Sequence, residues 1–394
     1  MKKLVLSSLL ILLLICWNGT AQAGDIQSED VEARLINLEN ITEALADVQL
    51  GGAFSVNYAY QDWDYYNRAR EGDMAFDKLR LAIDGSISDV LISVQYRWYS
   101  YMDVIHHGWI GYDFLDSLQV QLGITQVPFG LLPYASHNWW MGLPYYIGLE
   151  DDYDMGLKAI WDSGPFDVQL AFFKNADLGD PSNLDRYSFD VVTVGDQTNE
   201  EVNQVNARVA YTLEHGDLGS TELGVSGELG QLYNQTTEDD GNHWAAGAHV
   251  NGNYGPFNLQ LEVAQYEYNP ENPEGISDNT VEMGAFAASY PVAAEGTIYV
   301  ANIAYDLEVD FGPVSGLTFY NDFSFIDKSE NGYKDSQINT TGCMIIAGPL
   351  CTFVDVIVGR NAIWLGTGSD AMASAASSNN NLHTRVNINV GYYF

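Results

Sequence analysis

The sequence predicts an all-β fold, a transmembrane antiparallel β-barrel, and three observations support this prediction. Residues 1–23 have the pattern of a secretory signal peptide, alternating polar and apolar segments recur from residue 49 onward, and the last segment ends on the aromatic residue Phe394. Side chains of a strand point alternately to the two faces of a sheet. Repeated alternation over about ten residues is therefore typical of a barrel wall with lipid on one side and water on the other.

The N-terminal segment begins with Lys2 and Lys3, continues with the apolar run 4–17 and reaches the small residues Ala21-Gln22-Ala23. These are the parts of a signal peptide, so we expect the exported chain to start at Gly24. The apolar run is shorter than the roughly 20 residues of a membrane-spanning helix, and no later uncharged run approaches that length. This pattern excludes an α-helical membrane protein.

Residues 24–48 follow a helical period. Val31, Leu38 and Leu45 recur at seven-residue spacing, with two more apolar residues beside them. This apolar stripe predicts a short amphipathic periplasmic helix of the coiled-coil type. A helix of this length needs self-association or docking to be stable, so a loosely ordered leader is the alternative.

From residue 49 to residue 394 the period is two, which predicts that this whole region forms the barrel. Transmembrane strands need only about 9 to 11 residues each, and single-chain bacterial barrels have an even number of them. We predict sixteen strands, with eighteen as the alternative. The sixteen candidates lie at 53–61, 78–84, 92–99, 106–114, 118–125, 154–161, 166–174, 204–213, 222–232, 243–253, 257–268, 281–290, 297–305, 317–325, 351–360 and 383–394.

Short and long connections alternate along most of the barrel region, as expected when tight periplasmic turns alternate with extended outer loops. The tight connections are rich in Gly, Pro, Asp and Asn, the residues that turns favour. The alternation fails after residue 290, because a tight turn at 310–316 falls where a long loop is due. Residues 338–346 also have the pattern of a strand, so one strand assignment in this region is wrong.

The final strand has the clearest alternation. One face carries the apolar side chains of Val386, Ile388, Val390, Tyr392 and Phe394. The other face carries the polar side chains of Arg385, Asn387, Asn389 and Tyr393. A strand of this kind that closes on Phe is typical of the last strand of an outer-membrane barrel. The alternative is an edge strand in a secreted β-rich binding protein.

The composition favours a membrane barrel over a secreted protein. Aromatic residues make up 13% of the chain, a surplus that suits the aromatic girdles of a barrel. The 53 acidic residues outnumber the 16 basic ones, and the formal net charge of −37 excludes nucleic acid as a partner. The acid either lies in surface loops, where divalent cations bridge it to lipopolysaccharide, or forms a cation-attracting channel mouth.

The signal peptide contains Cys16, so Cys343 and Cys351 are the cysteines of the exported chain. An exported protein meets an oxidising periplasm, and two cysteines eight positions apart can close a small loop. We therefore predict a disulfide between them. Two free thiols are the alternative.

Motifs of enzymes are absent from the sequence, and we expect neither an enzyme nor a cofactor. His106 and His107 occupy adjacent strand positions, which should point their rings to opposite faces and prevent a shared metal. The acidic runs 62–64 and 150–154 do not match the Ca²⁺ loop pattern, so no dedicated metal site is expected. A barrel enzyme is the alternative, and it would use His106, His107 or His137 at the lipid-exposed rim.

Polar side chains of the predicted strands and one long loop are the candidate channel residues. The predicted pore-lining residues are Lys78, Arg80, Asp84, Arg97, Lys158, Arg208 and Arg385. The alternative is that these cations only pair with neighbours such as Asp77. The segment 127–154 is rich in aromatic residues, which bury their area against other groups, and we expect it to fold into the lumen. Its predicted constriction residues are Phe129, Tyr134, Trp139, Trp140, Asp151 and Asp152; a subunit contact and an extracellular cap are the alternatives.

Segments 76–85 and 120–130, the N-terminal helix and the end 391–394 resemble the phosphate-selective porin O and P family. The resemblance implies a sixteen-stranded trimeric porin of the Gram-negative outer membrane, whose third loop folds inward. It also implies that Lys78, Arg80 and Arg97 are basic residues of the pore wall.

Together the sequence and the resemblance predict a passive channel for small hydrophilic solutes. The net charge predicts a mild cation preference, and a phosphate-selective porin is the alternative.

Overall fold

The computed structural model describes residues 47–368, 372–373 and 380–394. The predicted signal peptide and almost all of the predicted helix at 24–48 lie outside these ranges. Within them, sixteen antiparallel strands form one closed barrel, so the predicted fold class and strand number are confirmed. A separate three-stranded sheet lies in the connections between wall strands.

The strands are numbered in chain order. The wall consists of β1 (Gln49–Gln61), β2 (Asp73–Ile87), β3 (Val90–Tyr99), β4 (Asp103–Leu115), β5 (Leu118–Gln126), β6 (Tyr153–Ser163), β7 (Phe166–Ala176), β9 (Asn199–Glu214), β10 (Ser220–Asn234), β11 (Asp240–Tyr254), β12 (Phe257–Asn269), β15 (Glu295–Phe311), β16 (Val314–Lys328), β17 (Ser336–Ala347), β18 (Leu350–Arg360) and β19 (His383–Tyr393). The small sheet has the order β14 (Ala288–Ala293), β13 (Thr280–Ala285) and β8 (Asp190–Val191). Each wall strand pairs with the wall strands before and after it, and β1 pairs with β19 to close the barrel.

Tight turns and longer connections lie at opposite ends of the wall, as predicted. The turns join β2 to β3, β4 to β5, β6 to β7, β9 to β10, β11 to β12, β15 to β16 and β17 to β18. The other end carries the connections that matter below: the third loop (127–152), the fourth loop (177–198), the sixth loop (270–294) and the eighth loop (361–382). The small sheet is built from the fourth and sixth loops.

Helices are few and short in the part of the chain that the structure describes. Helix α1 (Tyr65–Ala69) begins at Asp64, whose carboxylate accepts the backbone N–H groups of Tyr66 and Asn67 at 2.8 and 3.0 Å. Helix α2 (Leu143–Tyr146) lies in the third loop, and a 3₁₀ turn (Gly216–Leu218) joins β9 to β10. No helix in the described ranges is both long enough and apolar enough to cross a bilayer.

The two faces of the wall differ as the alternation predicted. In β19, Asn387 and Asn389 point inward and are at most 2% exposed, whereas Tyr392 points outward and is 47% exposed. Outward side chains of other strands are also large and apolar, and Leu229 is 66% exposed. This outer surface suits hydrocarbon, because closure pairs the strand backbones and leaves no open edge in lipid.

Two strand assignments were wrong, and their errors cancel in the count. Residues 281–290 form the hairpin of β13 and β14 instead of a wall strand, with a turn at Phe286 and Ala287, both at positive φ. Each of these strands has six residues, too few to span a bilayer. The wall strand that was left out of the sixteen predicted strands is β17, although residues 338–346 have the pattern of a strand. This exchange restores the alternation, so the tight turn at 310–316 lies on the correct side.

The predicted disulfide was also wrong, because Cys343 and Cys351 are free thiols. They lie on the neighbouring strands β17 and β18, where Cys351 pairs with Ile346 and Cys343 pairs with Val354. Cys343 is three positions from the partner of Cys351. An odd offset places the two side chains on opposite faces of the sheet, so they cannot bond.

The main apolar core of the described residues lies inside the mouth of the barrel. It joins the third, fourth, sixth and eighth loops through side chains that are at most 3% exposed, including Leu143, Ile147, Phe189, Met283 and Leu365. The loops therefore pack on one another within the wall, and this packing positions the candidate site.

Candidate functional site

The third loop lies inside the barrel, where the sequence placed it. Its backbone N–H groups donate to inward side chains of the far wall: Leu131 to Glu262 at 3.1 Å and Leu143 to the Ser324 hydroxyl at 3.0 Å. A loop fixed by side chains of the inner wall occupies the lumen and narrows it.

The tip of the third loop is fixed by one carboxylate of β16. Asp322 accepts three bonds of 2.7 Å, from the His137 backbone N–H, the His137 ring Nδ1 and the Asn138 amide. Burial by itself lowers the pKa of His137, but the bond to Asp322 outweighs it, and the pKa is raised above its ordinary value. Protonated His137 therefore strengthens this anchor.

A cavity of about 970 Å³ lies between the third loop and the wall strands β19, β1, β2 and β3. Four of the predicted pore-lining cations border it: Lys78 and Arg80 of β2, Arg97 of β3 and Arg385 of β19. They come together because each is an inward residue on strands that are neighbours in the closed wall. The barrel closure brings Arg385 next to residues about three hundred positions earlier in the chain.

Most of this positive charge has no carboxylate partner. Lys78 pairs with Asp77 at 2.9 Å. Arg80 lies directly opposite Arg97 in the pairing of β2 with β3, and in the described part of the chain neither they nor Arg385 form an ion pair. The Nε atoms of Arg80 and Arg385 are buried and have no hydrogen-bond partner. The cavity therefore presents unneutralised guanidinium groups.

Aromatic rings form the opposite side of the cavity. Tyr134, Trp139 and Trp140 of the predicted constriction set border it, together with Tyr187 of the fourth loop. The Arg385 guanidinium lies 4.4 Å from the Trp140 ring centroid, and the Arg97 guanidinium lies 4.5 Å from that of Tyr187. These contacts hold the cations in place without neutralising their charge.

One carboxylate faces the cavity from the third loop. Asp151 accepts a hydrogen bond from the Tyr187 hydroxyl, and burial raises the pKa of its carboxyl to about 6. With Asp77, it is the acidic counterpart to the four cations.

The other predicted pore residues lie inside the barrel but away from this cavity. Asp84 accepts the Ser93 hydroxyl at 2.6 Å, and the Lys158 ammonium donates to the Gln126 carbonyl at 2.9 Å. Arg208 pairs with two carboxylates and donates to the Gly130 carbonyl at 2.9 Å. Lys158 and Arg208 thus hold the start of the third loop.

Two of the predicted constriction residues also have other surroundings. Phe129 is 1% exposed and packs against the wall, where a Cβ added to Gly247 would lie 3.3 Å from its ring. Asp152 turns away from the cavity to join Asp154 and Asp190, and one carboxylate oxygen of each of the three residues lies within 4.8 Å of the others.

The prediction for the His106 and His107 rings was wrong. Their Nδ1 atoms are 2.8 Å apart, and both rings lie inside the barrel. The cause is a β-bulge: Gln95 pairs with His107 and Tyr96 with Ile105, which leaves His106 as an extra residue. With His137 in the third loop, these histidines face the interior and not the lipid-exposed rim that the enzyme alternative required.

The sequence did not identify the residues that other loops bring to the site. Tyr187 and Asp190 come from the fourth loop, Phe286 from the sixth and Trp364 from the eighth. The surplus of aromatic residues was the only available signal, because loop packing follows no period.

No family model matches the chain, and no curated protein matches it. Solved structures do: OmpT of Vibrio cholerae (10% identity), the outer membrane channel DcaP of Acinetobacter baumannii (12%) and the anion-selective porin from Comamonas acidovorans (11%). Each alignment has a TM-score of 0.56 and covers 88% of this chain. The alignments cover 97% of OmpT, 97% of DcaP and 99% of the Comamonas acidovorans porin.

At these identities the similarity shows the fold. The resemblance to the phosphate-selective porin O and P family stays a prediction. The closed wall with its apolar outer face is the architecture of a membrane-spanning barrel, and it agrees with the predicted location in the outer membrane.

Proposed function

We propose that the chain forms a water-filled channel through which small hydrophilic solutes diffuse passively across the outer membrane. The observation that carries this proposal is the lumen itself: a closed polar interior, narrowed by the third loop to a cavity bordered by charged and aromatic side chains. A fixed narrowing of this kind sets the size and charge of what passes.

We further propose that the channel prefers anions, with Lys78, Arg80, Arg97 and Arg385 as its charged wall. Among the described residues, the carboxylates that border the cavity with these four cations are Asp77 and Asp151. This sign is opposite to the mild cation preference expected from the net charge. Fixed charges at a narrow passage decide selectivity, because exposed charges farther away are screened within about 10 Å in salt solution.

The identity of the permeant anion is a narrower proposal. The Comamonas acidovorans neighbour is named as an anion-selective porin, and the charge of this cavity agrees with that description. Phosphate is one candidate, in keeping with the family resemblance. Tyr134, Trp139 and Trp140 on the other side favour anions that also carry apolar surface, since rings contact such surface well.

A homotrimer is the oligomeric state that the resemblance implies, and we propose it for this chain. Light scattering of the detergent-solubilised protein would determine the mass. A monomeric mass would reject the trimer without affecting the proposed channel.

The test of the function is electrical. The purified, refolded full chain is added to a planar bilayer, and single-channel steps and the reversal potential in a KCl gradient are recorded. We expect discrete current steps and a reversal potential of the sign that results when chloride is more permeant than potassium. An absence of steps would reject the channel. A reversal potential of the opposite sign would reject only the anion preference. Inhibition of the chloride current by added inorganic phosphate would support phosphate as a permeant or bound ion.

A further inference from the structure

A group of buried carboxylates lies next to the third loop, on the side away from the cavity. Asp152 ends the third loop, Asp154 lies near the start of β6, and Asp190 belongs to β8 in the fourth loop. Their side chains are 5%, 1% and 0% exposed. Two parts of the chain, the segment 152–154 and the fourth loop, thus place one carboxylate oxygen of each residue within 4.8 Å of the others.

Positive charge nearby does not balance this group. Asp177, Glu201 and Glu228 are also buried around it, and the buried basic side chains that pair with these acids are Arg186 and His243. Arg186 bonds Asp190 at 3.0 Å, and His243 lies 3.3 Å from Glu228. In the described ranges, neither Asp152 nor Asp154 has an ion-pair partner. Burying unpaired carboxylates is costly unless protons or a metal ion neutralise them.

Unused oxygen atoms point to a ligand. Asp190 gives Oδ2 to Arg186, and Asp154 gives Oδ2 to the Gln204 amide at 3.4 Å. The remaining Oδ1 atoms of both residues are buried without a hydrogen-bond partner.

A neutral side chain gives an independent indication. Thr125 is fully buried, its hydroxyl has no hydrogen-bond partner, and it lies directly opposite Asp154 in the pairing of β5 with β6. Side chains at such positions face the same side about 5 Å apart. The Thr125 hydroxyl is therefore a neutral oxygen beside the carboxylates.

We propose that Asp152, Asp154 and Asp190, together with Thr125, form a Ca²⁺-binding site that fastens the fourth loop to the third loop and the wall. All four ligands are oxygen, the donor that hard cations prefer. With Ca²⁺–oxygen bonds of about 2.3–2.6 Å, ligands on opposite sides of the ion lie up to about 5.2 Å apart. One Ca²⁺ can therefore reach all three carboxylates at their present spacing. Mg²⁺, with bonds of about 2.0–2.1 Å, requires a tighter group.

The test is calorimetric titration of CaCl₂ into the refolded full chain in detergent, after removal of divalent ions with EDTA. We expect saturable binding and a higher unfolding temperature with Ca²⁺, and weaker binding of Mg²⁺. Asp154→Asn and Asp190→Asn should each weaken Ca²⁺ binding at least tenfold. Asp196→Asn removes an exposed acid of the same fourth loop and should leave the affinity unchanged.

A second variant separates ligation from simple attraction by negative charge. Thr125→Val keeps every charge and should still weaken Ca²⁺ binding. Heat-dependent mobility in SDS gels shows that each variant has formed a closed barrel. The proposal is overturned if the folded wild type shows no saturable binding, which would mean that protons neutralise the carboxylates. It is equally overturned if folded Asp154→Asn and Asp190→Asn bind Ca²⁺ as wild type does.

Discussion

Arg80 and Arg97 are like charges placed directly opposite each other on adjacent strands, an arrangement that destabilises a sheet. Each guanidinium lies over a ring, Arg80 at 5.3 Å from Tyr393 and Arg97 at 4.5 Å from Tyr187. Such contacts contribute about 0.5–2 kcal/mol each, enough to offset part of the repulsion. The pair thus keeps its charge available to a passing anion.

Removing this charge should change selectivity. We expect the double variant Arg80→Gln, Arg97→Gln to lower the anion-to-cation permeability ratio several-fold, because the narrow passage loses two of its four cations. Reversal potentials in a KCl gradient measure the ratio. Arg70→Gln is the control, since Arg70 is exposed in the connection between β1 and β2 and paired with Asp73. Equal reversal potentials for wild type and the double variant would contradict the assignment.

His137 makes the anchor of the third loop pH-dependent. Its ring faces Asp322 and Asn258, stacks on Tyr320, and lies near Asp306. Because the pKa of folded His137 is raised, the stabilisation is complete below the unfolded value near 6.5 and is lost as pH rises through the folded pKa. We therefore expect open-channel current noise from loop motion to increase as pH rises above 6.5.

The matched control for this prediction is His137→Gln, which keeps a neutral hydrogen-bonding side chain and should show no such transition. Noise that grows toward acid pH in wild type alone would contradict the role of His137.

At the scale of elements, closure of the wall depends on close contact between its two ends. Gly52 and Phe394 exchange backbone hydrogen bonds of 2.9 and 3.1 Å beside the pairing of β1 with β19. A Cβ at Gly52 would lie 2.6 Å from the Phe394 ring and 2.5 Å from the Arg80 carbonyl oxygen. This position requires glycine because the backbone and the ring leave no space for a side chain.

We predict that Gly52→Val destabilises the closed barrel, with an overpacking cost of about 1–3 kcal/mol or more. Folded yield and unfolding temperature, followed by the heat-dependent gel shift, measure the effect. Gly51→Val is a close control, because a Cβ there meets only the Phe394 carbonyl oxygen at an ordinary 3.5 Å. Equal losses in the two variants would show that the crowding at Gly52 is not the cause.

The elements that the sequence predicted well are those in which alternation alone decides the structure. The last strand β19 is an example, since lipid on one face and polar groups on the other dictate each residue type. The prediction failed where another constraint acts. The hairpin at 281–290 is buried among loops, so its apolar residues contact other loops and not lipid. The β-bulge at His106 changes the side of the sheet to which the His106 side chain points, and no sequence pattern indicates this bulge.

For the whole molecule, net charge and site charge have opposite signs. The chain carries −37 overall, yet cations outnumber carboxylates in the cavity beside the third loop. The sequence identified Lys78, Arg80, Arg97 and Arg385 as inward residues, because period two assigns a face. It could not show that Lys158 and Arg208 hold the third loop, or that Asp152 meets Asp190. Those contacts depend on how loops fold within the barrel, which no repeat predicts.

The absence of a disulfide between Cys343 and Cys351 predicts that stability is independent of redox state. The unfolding temperature of the barrel should be the same with and without a reducing agent. The Cys343→Ser, Cys351→Ser variant should behave as wild type. Maleimide labelling in denaturant, without reduction, should modify both Cys343 and Cys351. Labelling that appears only after reduction would contradict the free thiols.

The pairing of β1 with β19 also means that the two ends of the barrel segment are neighbours in space, on the side of the tight turns. The geometry of the barrel therefore does not require the chain to begin at β1. A circularly permuted gene, with the old ends joined by a linker and new ends opened between β16 and β17, retains every strand pair of the ring. The order of the strands in the sequence can therefore be changed without changing the structure of the barrel.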